Sequence, residues 1–279
     1  MKILVTGGSG LLAPYIREVF EQVGEVILTS RSNRNHPCDL TSKDQVNSLI
    51  QEIRPSVVVH LAALTDVDYC EKHPGEAREV NFVSTSNLVA ALEGSGSYLI
   101  YISTDQVYPD GSGPFREDQV APVNVYGATK LQGEQAVRDY PDSLIARINI
   151  VGPSRTEGRS SLSDFFIQSF SGKRHIRLFQ DVLFSPLHMK TLAQVLLQCY
   201  SQKLTGTFNI GSHDGMSKKD FALKLAEYKG LDASNVTIAD SSDLPGRAAR
   251  PRDLRMDVAW FEGKSGIKLP GLQEEIEKI

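Results

Sequence analysis

The sequence predicts an α/β protein built on a doubly wound parallel sheet. Two observations carry that prediction: short β-branched runs alternate with longer amphipathic segments, and a glycine-rich turn follows the first run directly. Residues 2–6 (KILVT), 25–29 (EVILT), 56–60 (SVVVH), 98–103 (YLIYIS) and 143–148 (SLIARI) are almost continuously apolar, as strands covered on both faces must be. Helices are expected near 11–23, 42–53, 76–93 and 124–140, because parallel neighbours need right-handed crossovers. A further strand is expected just before Asp39. Beyond residue 150 the rhythm loosens. RTEGRSS (155–161) reads as a loop, 161–171, 188–201 and 217–229 as helices, and GTFNIG (206–211) as a short strand.

Composition narrows the function classes. A chain of 279 residues with 41% hydrophobic and 23% charged residues can bury the core of one large or two intimate domains. Its 30 basic and 34 acidic residues are spread evenly, which gives no footprint for nucleic acid or for an anionic membrane. The apolar run in MKILVTGG is too short for a signal peptide, and no later run approaches a bilayer span, so a cytoplasmic address is expected. Cys38, Cys70 and Cys199 lack metal or redox spacing and are expected to be reduced and partly buried. The histidines show no ligand spacing either, and no metal is expected.

In VTGGSGLLA (5–13), Gly7 and Gly10, with Ala13 at the third small position, fit a turn in which backbone approaches a diphosphate at a helix N-terminus. Leu11 and Leu12 continue it, and Pro14 falls where a missing N–H is tolerated. The second strand ends in TSRS (29–32), without an acid for a ribose 2′-hydroxyl. Arg31 between two serines suits a 2′-phosphate, which favours NADP(H) over NAD(H). Asp39 and Leu40 are placed beside the adenine. Tyr126 and Lys130 (YGATK) lie four apart and so share a helical face, where an ammonium is expected to lower the phenol pKa. Thr104 ends a parallel strand, positioned to bond the same substrate oxygen.

TGGSGLLA, HLAALTDVDYCE (60–71), STDQVYPDG (103–111), YGATK and RPRDLRMD (250–257) together resemble the extended short-chain dehydrogenase/reductases, and among them the dTDP-4-dehydrorhamnose reductase family. The resemblance spans nearly the whole chain. It implies a Rossmann domain (1–150) and a smaller α/β substrate domain formed mainly from 151–279, with segments returning to the first. It further implies that Tyr126 protonates the C4 keto oxygen of a nucleotide sugar while Lys130 holds the nicotinamide ribose and Thr104 orients the carbonyl. Ala62, Ala63 and Thr65 would line the cofactor. Thr65, Val67, Asp105 and Gln106 would face the sugar, and Arg250 its diphosphate.

The chain departs from the family pattern at Gln106 and Tyr108, where a tyrosine and a phenylalanine are usual, and both side chains are expected to face the sugar. Gln106 cannot act as the base of a 4,6-dehydratase. Two other readings share the motifs: a nucleotide-sugar 4-epimerase with tightly held NAD, and a non-catalytic binder resembling the regulatory β subunit of methionine adenosyltransferase. A homodimer is compatible with the pattern. His60 is expected to be a packed histidine near the cofactor, Asp66, Asp68 and Glu71 to be surface or capping acids, and Trp260 and Phe261 to be core.

Overall fold

The computed structural model describes residues 1–243 and 246–279. Five strands, β1 (Lys2–Thr6), β2 (Glu25–Thr29), β3 (Val57–His60), β4 (Tyr98–Thr104) and β5 (Ser143–Ile148), form a parallel sheet in the order β5-β4-β3-β1-β2. A sixth strand, Gly206–Ile210, joins the far edge parallel to β5. The chain leaves β1 for β2 on one side and returns to β3 on the other. Their carboxyl ends therefore part company between β1 and β3, which is where folds of this kind open a crevice.

The pleat sorts each strand's side chains onto two cores. Ile3, Val5, Val59 and Ile100 pack under helix α1 (Ala13–Phe20) and the helix Met189–Ser201. Leu4, Val58, Leu99 and Tyr101 pack under helix α2 (Lys43–Ile53) and the helix Ser84–Leu92. A third core, built from Phe166, Phe170, Phe184, Phe221 and Leu254, belongs to the second half of the chain. Among the described residues no helix is long and apolar enough to cross a membrane.

Three elements differ from expectation. Among the described residues no strand lies between β2 and Asp39, where Ser30 and Pro37 share only an isolated bridge. Asn33 Oδ1 accepts from the N–H groups of Asn35 (2.9 Å) and His36 (2.8 Å), and this turn consumes donors that a strand would need. The first helix begins at Ala13, because residues 7–12 are spent on the turn. The helix expected over 76–93 is instead Pro74–Arg78, a π-helical turn Glu79–Val83, and Ser84–Leu92. A π turn of this kind often marks a functional site, and here it points Asn81 inward.

Candidate active site

A cleft of about 1060 Å³ opens at the carboxyl ends of the central strands. It gathers Gly7, Gly10, Leu11 and Leu12 from the turn after β1, Arg31, Asp39 and Leu40 from beyond β2, and Ala62, Ala63 and Thr65 from beyond β3. Thr104, Asp105, Tyr126 and Lys130 close its inner end.

Gly7 has φ 67°, and a Cβ there would come within 2.7 Å of the Ala62 nitrogen. The turn is fixed by Gly10 N–H donating to the Gly7 carbonyl at 2.8 Å and Gly8 N–H to the Thr29 carbonyl at 2.9 Å. No side chain caps α1 at Leu12, and among the described residues the N–H groups of Leu11 and Leu12 have no protein acceptor. At the other end Arg31 is exposed and makes no ion pair among the described residues. The Asp39 carboxylate accepts from the Thr41 N–H (3.0 Å) and hydroxyl (2.8 Å), which with Arg31 nearby lowers its pKa.

The inner end is buried. Asn124 caps the helix Val125–Arg138 by accepting from Gly127 N–H at 2.8 Å, and Glu71 accepts from Val125 N–H at 3.1 Å. Two glycines seat this helix. A Cβ on Gly127 would lie 2.1 Å from the Gln106 carbonyl oxygen, and one on Gly133 2.2 Å from the Tyr101 hydroxyl. Asn81 ties the helix to the loop after β3, donating to Thr129 Oγ1 at 3.0 Å and to the Leu64 carbonyl at 3.1 Å. His60 bridges Thr6 (2.6 Å) and Thr85 (3.0 Å) beneath the cleft, and burial lowers its pKa to about 3, leaving it neutral.

Tyr126 is 8% exposed. Burial holds its phenol well above the ordinary value, with the Thr104 hydroxyl opposing the shift, so the expected lowering by Lys130 is not found. Lys130 instead donates to the Ile102 carbonyl at 2.7 Å and stands 4.1 Å over the Tyr101 ring. Its own pKa falls to about 7 through burial, against the pull of Glu134. Asp105 rises to about 6 by burial, although Asn149 and Thr104 both donate to it.

Three expected substrate contacts lie outside the cleft. Val67 packs against the cluster of Cys70, Ala77 and Tyr126. The Gln106 side chain turns to Asn124, accepting at 3.1 Å. Arg250 is drawn off by Asp68, donating to it through two nitrogens at 3.0 and 2.8 Å, while Arg247 approaches the same carboxylate at 3.5 Å. Tyr108 does not line the cleft either: it is fully buried and bonded to Asn209 and Arg147. Asp66 is a helix cap, accepting from Tyr69 N–H at 3.0 Å. Phe261 is core, but Trp260 is 53% exposed, with Lys264 over its ring.

Motif reading missed much of the remaining lining, including Glu79 and Val80 on the π turn, Ile102 and Ser103 on β4, Asn149 after β5, and Arg159 from the loop expected over 155–161. Asn149 alone had a local signal, as a polar residue ending an apolar strand at the sheet's ligand edge.

The chain is similar to several known proteins along nearly its whole length. A probable low-salt glycan biosynthesis reductase of Haloferax volcanii is 31% identical, with all of this chain and 97% of that protein aligned. Methionine adenosyltransferase 2 subunit beta of Xenopus laevis is 29% identical over 95% of this chain and 83% of its own. The crystal structure of dTDP-4-dehydrorhamnose reductase from Bacillus anthracis, in complex with NADP, superposes with a TM-score of 0.91 at 26% identity, covering 99% of this chain and 97% of that one. The RmlD substrate binding domain family matches residues 1–279, and the chain belongs to that family.

Proposed function

We propose that the chain is a reductase that uses NADP(H) to reduce the C4 keto group of a nucleotide-linked deoxysugar, dTDP-4-dehydro-L-rhamnose first among them, in the cytoplasm. Residues 1–150 would form the cofactor domain and 151–279 mainly the substrate domain. One observation carries this reading: a single cleft runs from the glycine turn and Arg31 to Thr104, Tyr126 and Lys130. The donors present suit NADP(H), since the Leu11 and Leu12 N–H groups are free for a diphosphate and Arg31 for a 2′-phosphate. When bound, the cofactor supplies hydride to the carbonyl carbon.

The chain's own part is to bind, orient and protonate. Burial keeps the Tyr126 phenol protonated, the state a donor to the C4 oxygen requires. Thr104, beside it, orients that carbonyl, and Lys130, one helical turn away, would hold the nicotinamide ribose. Ala62 and Ala63 would line the cofactor, Asp39 and Leu40 the adenine side, and Thr65 and Asp105 border the sugar.

The test is the loss of nicotinamide absorbance when the protein meets NADPH and dTDP-4-dehydro-L-rhamnose, with NADH and a no-sugar control. Sugar-dependent oxidation of NADPH is expected. Binding of NADPH without turnover of this or related 4-keto sugars would favour a second reading, a non-catalytic NADP-binding regulatory subunit. The likeness to methionine adenosyltransferase 2 subunit beta supports that alternative.

A further inference from the structure

Residues 153–156 are fastened across the glycine turn. The Tyr15 hydroxyl donates to the Pro153 carbonyl at 2.7 Å, and the Thr156 hydroxyl to the Gly10 carbonyl at 3.0 Å. Arg155 pairs with Glu18 and stands 4.1 Å over the Tyr15 ring. Ser154 N–H donates to Asp164 at 2.9 Å, which anchors the far side to the helix Leu162–Ser171. Arg159 is one turn further on, its N–H donating to the Thr156 carbonyl at 3.2 Å. Its side chain lines the cleft and, among the described residues, has neither an ion pair nor a hydrogen bond.

Three cations line the cleft, and their places differ. Lys130 is sealed at the inner end, on the Ile102 carbonyl. Arg31 lies beyond β2, at the outer end. Only Arg159 belongs to a segment that touches Gly10, the residue whose turn presents the unpaired N–H groups of Leu11 and Leu12. Pro14 removes one donor from the first turn of α1 and Leu12 offers no capping side chain, so the backbone alone neutralises an anion there incompletely.

We propose that residues 153–161 form a strap across the cofactor cleft and that Arg159, carried by this strap, binds the cofactor diphosphate beside the glycine turn. The assignment rests on the NADP(H) reading above. A guanidinium presented in that position faces phosphate oxygens with a planar fork of donors. The contact is made to the part shared by NADPH and NADH, whereas Arg31 addresses the part that distinguishes them.

Direct binding titrations with NADPH and NADH, followed by calorimetry on the full chain without sugar, separate these roles. Arg159→Gln is expected to weaken both dinucleotides about tenfold, leave their ratio unchanged and reduce the salt dependence of binding. Thr156→Val, which unfastens the strap from Gly10, should weaken both in the same direction, and Arg159→Lys should recover part of the loss. Arg31→Ala should change the NADPH to NADH ratio. Unchanged affinity for both dinucleotides in Arg159→Gln would overturn the proposal, as would a shift confined to NADPH, which would place Arg159 on the 2′-phosphate. Wild-type protein that binds neither dinucleotide would remove the cofactor reading itself. Wild-type binding with an indifferent Arg159→Gln would remove only the strap.

Discussion

The helix that carries Tyr126 and Lys130 is gripped by buried contacts along its inner face, whereas residues 246–252 are held by an ion pair that water reaches. Glu134, one turn beyond Lys130, receives Arg147 through two nitrogens at 2.9 and 2.7 Å, and the side chains of the pair are 0% and 2% exposed. Arg147 goes on to Tyr108 and to the Glu117 carbonyl, and Tyr108 to Asn209, so the network reaches the edge strand Gly206–Ile210. The Asp68–Arg250 pair, by contrast, is 33% and 25% exposed. A buried network with every member bonded fixes geometry, because losing any partner strands a charge in a low-dielectric interior. A wet pair is worth little and can be exchanged. The arrangement holds Tyr126 and Lys130 rigidly and leaves residues 246–252 on contacts that water can exchange.

The comparison breaks first at Glu134. Glu134→Gln leaves Arg147 buried without its anion and should lower stability by about 3–5 kcal/mol in urea denaturation; a loss below about 1 kcal/mol would show that the network does not hold the helix. Gly127→Ala sets a methyl against the Gln106 carbonyl and should destabilise by about 1–3 kcal/mol while also slowing turnover, since the turn carrying Thr104 must shift. Asp68→Asn, at the rim, should change stability by about 1 kcal/mol or less and leave NADPH affinity intact. A rim variant as damaging as Glu134→Gln would erase the distinction between the two regions.

The pH dependence of stability sharpens it. Asp105 keeps its proton in the fold up to about 6, above the ordinary 3.8, so the native state binds more protons in that window and Asp105 lowers stability as pH rises through it. His60, neutral in the fold down to about 3 against an ordinary 6.5, does the reverse and raises stability as pH rises. The two slopes oppose each other between about pH 4 and 6. Asp105→Asn should remove the opposing slope, seen as a steeper rise in stability with pH; an unchanged slope would show that Asp105 is already ionised there.

Much of this was legible in the sequence because it is local. The apolar runs give the strands, and the glycine turn, Thr104 and the Tyr126–Lys130 spacing fall within short segments that one fold brings to one edge. The rest depends on partners far apart in the chain. Asn81 meets Thr129 across 48 positions, Thr156 meets Gly10 across 146, and Arg250 meets Asp68 across 182. Nothing near Gln106 announces that its side chain turns to Asn124, and nothing near Arg250 announces that Asp68 claims it. The phenol pKa was misread for a related reason. Spacing places Lys130 near Tyr126, but burial of both groups and the Ile102 carbonyl decide what each one does.

Tyr126 is proposed to donate the proton in a reduction carried out within this cleft. The rate of NADPH oxidation by wild type and Tyr126→Phe, side by side at saturating NADPH with dTDP-4-dehydro-L-rhamnose, decides whether it does. Wild type should turn over. The variant should be slower by about 100-fold or more, the usual effect of losing a general acid, with NADPH affinity nearly unchanged. A Tyr126→Phe protein that still oxidises NADPH at the wild-type rate would contradict the claim.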